Sequence, residues 1–179
     1  THSRSQINRF LIGSNTDRVI RISDVPVLSV KRRHEHFTVK NIAFASNFYG
    51  EAYTVFGTIK PFIDLFKAKV HFVKVVTPSQ FESTPVSRKL MEDFAKKFSI
   101  DDYTINIYND HKVEHGINRF AKEVDADLIS METHGGNSIV QLVSGSIMGD
   151  VMEHADLPVL TIKIDEPKAL NKGIFPEMR

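Results

Sequence analysis

The sequence DLISMETHGG occupies residues 127–136, and GSIMGDVMEHADLPVLTIKI occupies residues 145–164. The first stretch is an apolar run that ends in two glycines. The second has apolar residues at helical spacing, followed by a β-branched run that begins after a proline. Together they indicate a strand, a glycine-rich loop, a helix and a final strand. This alternation is typical of a mostly parallel sheet covered by helices on both faces, in which ligands bind beyond the carboxyl ends of the strands.

The residues before this stretch alternate in the same way. Apolar β-rich runs predict strands, and apolar residues spaced three and four apart predict amphipathic helices. The predicted strands are 38–46, 69–76, 103–108, 126–131 and 158–164, and the predicted helices are 50–66, 85–98, 113–124 and 145–154. We therefore expect an α/β domain with an open five-stranded parallel sheet.

An internal repeat defines the organisation of the chain. Residues 1–31 align with residues 133–163 at a constant offset of 132, without a gap and with eleven identities. The identities include Gly-Ser at 13–14, Asp-x-Pro-Val-Leu at 24–28 and Lys31. Because these blocks lie in one register, the two segments are copies of the same structural unit.

The repeat divides the chain into four parts. Residues 1–31 correspond to the last loop, helix and strand of a first domain, so we expect a tandem protein that starts inside that domain. Residues 32–37 form a linker with a basic cluster. Residues 38–164 form the complete domain, and residues 165–179 form an irregular tail with two prolines.

Composition excludes several classes of protein. The chain has 179 residues, 41% of them hydrophobic and 25% charged, which excludes wholesale disorder and makes two complete α/β domains unexpected. It has no cysteine, which excludes disulfides and thiolate metal sites. No apolar run approaches the roughly 20 residues of a membrane helix. The net charge is +1, but residues 38–163 carry thirteen Lys and Arg against sixteen Asp and Glu, and this mildly acidic balance argues against a nucleic-acid-binding face. We expect a soluble cytoplasmic protein without nucleic-acid or membrane partners.

The glycines between the last two predicted strands favour an anion-binding loop. Gly135 lets the backbone approach a ligand closely. Gly145-Ser146 opens a helix whose free N–H groups and positive dipole end suit phosphate. The alternative is a helix N-terminus that binds only water, with Ser146 as its cap. The residue types alone leave both interpretations open.

These segments resemble the universal stress protein family. The phosphate motif of the family has Gly, two residues, Gly, nine residues, Gly and then Ser or Thr, and the spacing from Gly135 to Gly145-Ser146 fits it. The resemblance covers residues 38–163, and it implies a Rossmann-like sheet with the strand order 3-2-1-4-5. It also implies a candidate nucleotide site formed by Ala45, Asn47, Met131, Glu132, Gly135, Gly145, Ser146 and Ile147.

Two of these positions depart from the family pattern. Glu132 stands where the motif has its first glycine, and it adds bulk and negative charge where a ribose or phosphate would lie. Asn47 stands where the family has an acidic residue at the end of the first strand, and its amide supplies no charge. We expect a non-enzymatic stress-response protein with a degenerate nucleotide site and no cofactor. The alternative is an ATP-binding switch at residues 131–147 that hydrolyses ATP slowly.

Histidines raise a third hypothesis, a metal-dependent hydrolase. His111-x-x-Glu114-His115 fits the H-x-x-E-H pattern of inverted zinc peptidases, and two histidines four apart on a helix can chelate zinc. The alternative is an exposed first helical turn capped by Asp110. The His-x-His sequence at 34–36 offers only two ligands. No metallopeptidase domain fits in the remaining length, and we expect no metal site.

The apolar run at residues 25–31 has no sheet of its own, and it follows a short amphipathic helix at residues 16–22. The family resemblance implies that two equivalent edge strands pair across a two-fold or pseudo-two-fold axis. We therefore predict that residues 25–31 add antiparallel to residues 158–164, in the same chain or in a neighbouring copy. The surface that remains uncovered predicts a homodimer through edge strands.

Overall fold

The computed structural model describes residues 14–33, 37–134 and 147–164. The helices are α1 (Ser14–Ile22), α2 (Glu51–Phe66), α3 (Thr84–Lys97), α4 (Val113–Glu123) and α5 (Ile147–His154). The strands are β1 (Val27–Ser29), β2 (Asn41–Ala45), β3 (Lys69–Val76), β4 (Tyr103–Asn109), β5 (Leu128–His134) and β6 (Val159–Ile164). Within these residues, no helix is long and apolar enough to cross a membrane.

The six strands form one sheet in the order β1-β6-β5-β2-β3-β4. Neighbouring strands from β2 to β6 pair in parallel, and β1 runs antiparallel along β6. The predicted α/β class with a mostly parallel sheet is confirmed. The count and order of the whole sheet differ from a five-stranded 3-2-1-4-5 sheet, because β1 adds a sixth strand at one edge. Without β1 the order reads β4-β3-β2-β5-β6.

The first strand of the complete domain is shorter than predicted. The sequence predicts a strand at 38–46, whereas β2 begins at Asn41. The Asp127 carboxylate explains this start, because its Oδ2 accepts the backbone N–H of Lys40 at 2.8 Å and that of Asn41 at 2.9 Å. The same aspartate precedes β5, so one side chain aligns the amino ends of the two central strands.

Helices cover both faces of the sheet because side chains alternate between the faces along each strand. On one face, α2 and α3 enclose an aromatic core. The ring centroid of Phe44 lies 4.9 Å from that of Phe56 and 6.0 Å from those of Phe72 and Phe94. On the other face, α1, α4 and α5 pack smaller side chains against the sheet. The two cores together bury both faces of the sheet.

The N-terminal arm, residues 14–31, docks on the complete domain of its own chain. Ile20 of α1 is buried in the core that α4 and α5 also cover, and β1 pairs with β6. The predicted antiparallel pairing is therefore confirmed. The strand is shorter than the predicted 25–31 and begins after Pro26, which has no backbone N–H to donate to a ladder.

Candidate functional site

The candidate site lies where β2 and β5 end. These parallel strands are neighbours, and their last paired residues are Ala45 and Met131. The strand order reverses here, because β3 and β4 lie on one side of β2 while β5 and β6 lie on the other. Open α/β sheets bind ligands in the crevice at such a point. Ala45 and Met131 are each 5% exposed, so they belong to the buried base of this crevice.

A hydrogen bond joins the two strand ends across the crevice. Ser46, directly after β2, donates its hydroxyl to Glu132 Oε1 of β5 at 3.2 Å, and it accepts the backbone N–H of Phe48 at 2.9 Å. Both the serine and the glutamate are half-buried. The sequence motif predicts Glu132 as a site residue but does not include Ser46. The position of Ser46 between the candidates Ala45 and Asn47 is the sequence signal for it.

The Asn47 side chain is engaged with its own backbone. Its Oδ1 accepts the backbone N–H of Tyr49 at 2.8 Å, which is the geometry of an Asx turn. The residue between them, Phe48, has a left-handed backbone with φ of 66° and a fully buried side chain. Burial of this aromatic ring stabilises a backbone conformation that non-glycine residues rarely adopt. Asn47 therefore shapes the turn that leads into α2.

Part of the predicted site lies outside the described residues. This applies to Gly135, Gly145 and Ser146. Ile147 is the first residue of α5 in the structure, and its side chain is 45% exposed. The described part of the candidate site therefore consists of the carboxyl ends of β2 and β5 and the turn after β2.

A second polar cluster borders the same turn, and the sequence patterns did not predict it. Lys74, near the end of β3, places Nζ 2.6 Å from Glu82 Oε1, and Ser87 of α3 donates its hydroxyl to the same oxygen at 2.5 Å. Tyr49 donates its phenol O–H to Glu82 Oε2. The Lys74 ammonium also lies 4.6 Å from the centroid of the Tyr49 ring. We call these four residues the Glu82 cluster.

The Glu82 cluster keeps its carboxylate ionised. Burial of the Glu82 carboxyl opposes ionisation, but hydrogen bonds from Lys74, Ser87 and Tyr49 outweigh burial and hold the pKa of Glu82 at about 2. The cluster joins the loop after β3 to the turn after β2 and so fixes one side of the crevice. Lys74, Glu82 and Ser87 follow no motif spacing, and Tyr49 lies 33 residues from Glu82 in the sequence, so no sequence pattern predicts the cluster.

The H-x-x-E-H residues do not form a metal centre in the structure. Among residues 14–33, 37–134 and 147–164, no group of three or more histidine and acidic side chains is placed to hold a metal ion. His111 precedes α4, and the carboxylate of Glu114 lies 3.6 Å from Lys112 Nζ. The ring centroid of His115 lies 6.3 Å from that of His154. The other histidine pair, at 34–36, lies outside the described residues.

The predicted cap of α4 is wrong. The N-cap residue is Lys112, which makes no side-chain capping hydrogen bond. Asp110 instead accepts the backbone N–H of His111 at 2.6 Å and a hydrogen bond from Arg119 Nη1 at 2.9 Å. Asp110 therefore tightens the loop before α4 and contacts the helix through Arg119 in its second turn.

Sequence comparison assigns the family. The model of the universal stress protein family matches residues 40–163. This match covers more than half of the chain, and the chain therefore belongs to the universal stress protein family. No curated protein matches the chain.

Solved structures of universal stress proteins share the fold. One from Archaeoglobus fulgidus has a TM-score of 0.65 and 21% identity, and the match covers 87% of this chain and 55% of that one. A universal stress protein in complex with cAMP has a TM-score of 0.58 and 17% identity over 71% of this chain and 98% of that one. A universal stress protein from Archaeoglobus fulgidus in complex with dAMP has a TM-score of 0.54 and 19% identity, and the match covers 71% of this chain and 100% of that one. This chain thus spans about half the length of the first of these structures.

Proposed function

We propose that this chain is a non-enzymatic, cytoplasmic stress-response protein that acts through protein contacts, and that its nucleotide crevice is degenerate. The hydrogen bond from Ser46 to Glu132 carries this proposal. It places a carboxylate and its partner across the strand ends, where a nucleotide would bind in an open α/β sheet. Asn47 supports the same proposal, because its side-chain oxygen Oδ1 already accepts a hydrogen bond from the backbone N–H of Tyr49.

The charge of Glu132 opposes phosphate binding. A carboxylate and a phosphate about 4 Å apart repel each other by about 4 kcal/mol at the effective dielectric of a protein surface. Glu132 is half-buried, so water screens this repulsion less than it would at an exposed site. Binding of ATP would also require the Ser46 hydroxyl to give up its carboxylate acceptor or share it.

Adenine-nucleotide binding is the second candidate function. Two structures that share this fold were solved in complex with cAMP and with dAMP. In this chain the site would lie at residues 131–147, with Gly145-Ser146 at a helix N-terminus as the phosphate-binding element. ATP bound there would make the protein a nucleotide-dependent switch with slow hydrolysis.

An ATP titration separates the two candidates. We expect the wild-type chain to bind ATP weakly and to release no adenine-absorbing ligand on denaturation. The double variant Glu132→Gly and Asn47→Asp should bind ATP about tenfold or more tightly, because it removes one repulsion and restores an acidic residue. Ser46→Ala is the matched control: it removes the hydrogen bond but keeps the carboxylate, and its ATP affinity should stay low. Nucleotide bound to the purified wild-type protein would overturn the proposal.

We further propose that the N-terminal arm is the end of a second unit of the same type and that copies of the chain contact each other through edge strands. Val19 of the arm is 51% exposed, whereas its repeat counterpart Val151 is completely buried. Leu28 is 39% exposed, and its counterpart Leu160 is 6% exposed. The apolar outer face of the arm is therefore suited to cover or be covered by another unit. Light scattering of the chain should report a dimer, and a monomer at all concentrations would contradict this part.

A further inference from the structure

The Glu82 carboxylate lies where donor side chains from three elements converge. The Lys74 ammonium of β3 and the Ser87 hydroxyl of α3 both reach Oε1, at 2.6 Å and 2.5 Å. The phenol of Tyr49, in the turn before α2, donates to Oε2. One ammonium and two hydroxyl groups therefore surround the two oxygens of a single anion.

Two of the three donors are held by the rigid part of the domain. Lys74 is 7% exposed, and Ser87 is completely buried. Lys74 stands opposite Ile107 in the pairing of β3 with β4. Ser87 lies in the first turn of α3, where its backbone N–H donates to the Ser83 carbonyl at 3.1 Å. The sheet and the helix therefore fix these donors independently of the carboxylate that they bind.

The acceptor, in contrast, belongs to a connecting segment. Glu82 lies in residues 77–83, between β3 and α3, and its neighbour Phe81 is 81% exposed. Within this segment Gln80 donates its backbone N–H to the Thr77 carbonyl at 3.0 Å. This turn does not involve the Glu82 side chain. Outward rotation of the carboxylate therefore requires no change in β3 or α3.

The three donors strongly favour a negative charge between them. Burial of the Glu82 carboxyl opposes its ionisation, yet hydrogen bonds from the donors hold its pKa at about 2. Without an anion, the nearly buried ammonium of Lys74 would lack a counter-ion, which is costly. An outward rotation of Glu82 is therefore favourable only if another anion takes its place.

A phosphate group fits this donor pattern. Like a carboxylate, it presents at least two oxygens on one atom, and an ester phosphate carries a charge of about −1.5 to −2 at pH 7. Lysine binds phosphate as a point charge, and hydroxyl groups add hydrogen bonds. Tyr49 is 48% exposed, so the site is open to solvent on the side of its ring. Phe81, next to Glu82 in the chain, adds exposed apolar surface.

We propose that the three donors form a phosphate-binding site that Glu82 occupies within the chain, and that the phosphate group of a small ligand binds there when Glu82 is displaced. The site lies on the β3 side of β2, whereas the crevice described above lies between β2 and β5. Attachment gives the Glu82 carboxylate an effective concentration on the order of millimolar. In the wild-type chain a phosphate ligand therefore competes poorly, and removal of the carboxylate unmasks the site.

Three variants test the site. Glu82→Ala removes the internal anion and leaves the three donors in place. Glu82→Ala combined with Lys74→Met is the matched control, because methionine is a long side chain without charge. Asp64→Ala is a second control: it also removes the carboxylate partner of a lysine, but the Lys60–Asp64 pair lies on the surface of α2.

The probes are inorganic phosphate and phenyl phosphate, each with potassium chloride of equal ionic strength as the reference. Calorimetry measures the dissociation constant, and thermal unfolding measures the shift in melting temperature. We expect Glu82→Ala to bind phosphate about tenfold or more tightly than the wild type does. Its melting temperature should rise with phosphate concentration, because the ligand binds only the folded state. Both controls should bind no more tightly than the wild type.

The two probes identify the source of the phosphate group. Tighter binding of phenyl phosphate assigns the site to phosphate monoesters, whose remainder contacts the exposed rings of Tyr49 and Phe81. Equal or weaker binding of phenyl phosphate assigns it to free phosphate. Binding of neither probe to Glu82→Ala would overturn the proposal. Equally tight binding to the variant that also carries Lys74→Met would overturn it too, since the phosphate would then bind elsewhere.

Glu82→Gln provides the test if Glu82→Ala does not fold. Its side chain has nearly the same volume as glutamate but no charge, so phosphate should raise its melting temperature more than that of the wild type. Equal shifts would contradict the site. The ATP titration described above depends on Glu132 and Asn47, whereas these measurements depend on Glu82 and Lys74. Either proposal can therefore fail without the other.

Discussion

Glu82 is a residue whose ionisation the fold controls strongly. Its carboxylate accepts hydrogen bonds from the side chains of Lys74, Ser87 and Tyr49, and the Lys74 side chain is only 9% exposed. Neutralising the glutamate leaves that ammonium without its counter-ion in a nearly buried position, which is costly. The cluster therefore links the loop after β3 to the turn after β2 at the carboxyl edge of the sheet, and we call this link the latch.

The latch predicts a pH-dependent loss of stability on the acidic side. The pKa of Glu82 is about 2 in the folded chain and 4.5 ordinarily, so the unfolded chain binds the proton more readily. The stabilisation is fully present above about pH 4.5 and is lost as the pH falls towards 2. At pH 7 Glu82→Gln should lower the free energy of unfolding by about 1–3 kcal/mol, and the difference from wild type should shrink by pH 3. Asp64→Asn, which breaks the exposed Lys60–Asp64 pair, should cost at most about 0.5 kcal/mol. A Glu82→Gln difference that is the same at pH 3 and pH 7 would contradict the latch.

At the scale of elements, α4 packs tightly against β3 at Gly116. A Cβ atom at this position would lie 2.7 Å from Val75 Cγ1, and the β-branched valine has little freedom to move. We expect Gly116→Ala to destabilise the domain by about 1–2 kcal/mol, because overpacking outweighs the better helix propensity of alanine. Val75→Ala in the same chain should restore most of the loss. Gly57→Ala in α2 is the matched control: its Cβ would lie 3.8 Å from Phe98, and it should stabilise by about 0.5–1 kcal/mol. Urea unfolding measures all three variants against the wild type, and a stabilised Gly116→Ala would show that α4 can shift.

Helices and strands could be predicted from the sequence where the signal lies in neighbouring residues or in the alignment of the internal repeat. Hydrophobic periodicity located the strands and helices, and the repeat predicted the pairing of β1 with β6. The candidate site was predicted only in part, because its bonds join distant residues. Ser46 and Glu132 meet since β2 and β5 are neighbours in the sheet, and Glu82 meets Tyr49 for a similar reason. No spacing rule in one sequence contains such a pairing.

At the scale of the whole molecule, the arm and the complete domain differ in how much surface holds them. β1 has three residues, and the exposed side chains of the arm include Val19, Ile22 and Val25. The complete domain has two continuous cores. A segment that buries little apolar surface opens locally at low free energy, whereas a core opens only with global unfolding. The arm should therefore exchange its amide hydrogens faster than the central strands do.

Ile20 and Met152 test this difference because the repeat makes them counterparts. Both are buried, at 1% and 5% exposure, but only Met152 belongs to the complete domain. Met152→Ala should lower the global free energy of unfolding by about 2–5 kcal/mol, the usual result of a cavity in a core. For Ile20→Ala the global loss is limited by the free energy of docking the arm, since a weakened arm detaches before the domain unfolds. Hydrogen exchange measured by peptide should rise in residues 14–33 and stay unchanged in β2 and β3. An equal global loss for both variants, without selective exchange in the arm, would show that the arm folds as an integral part of the domain.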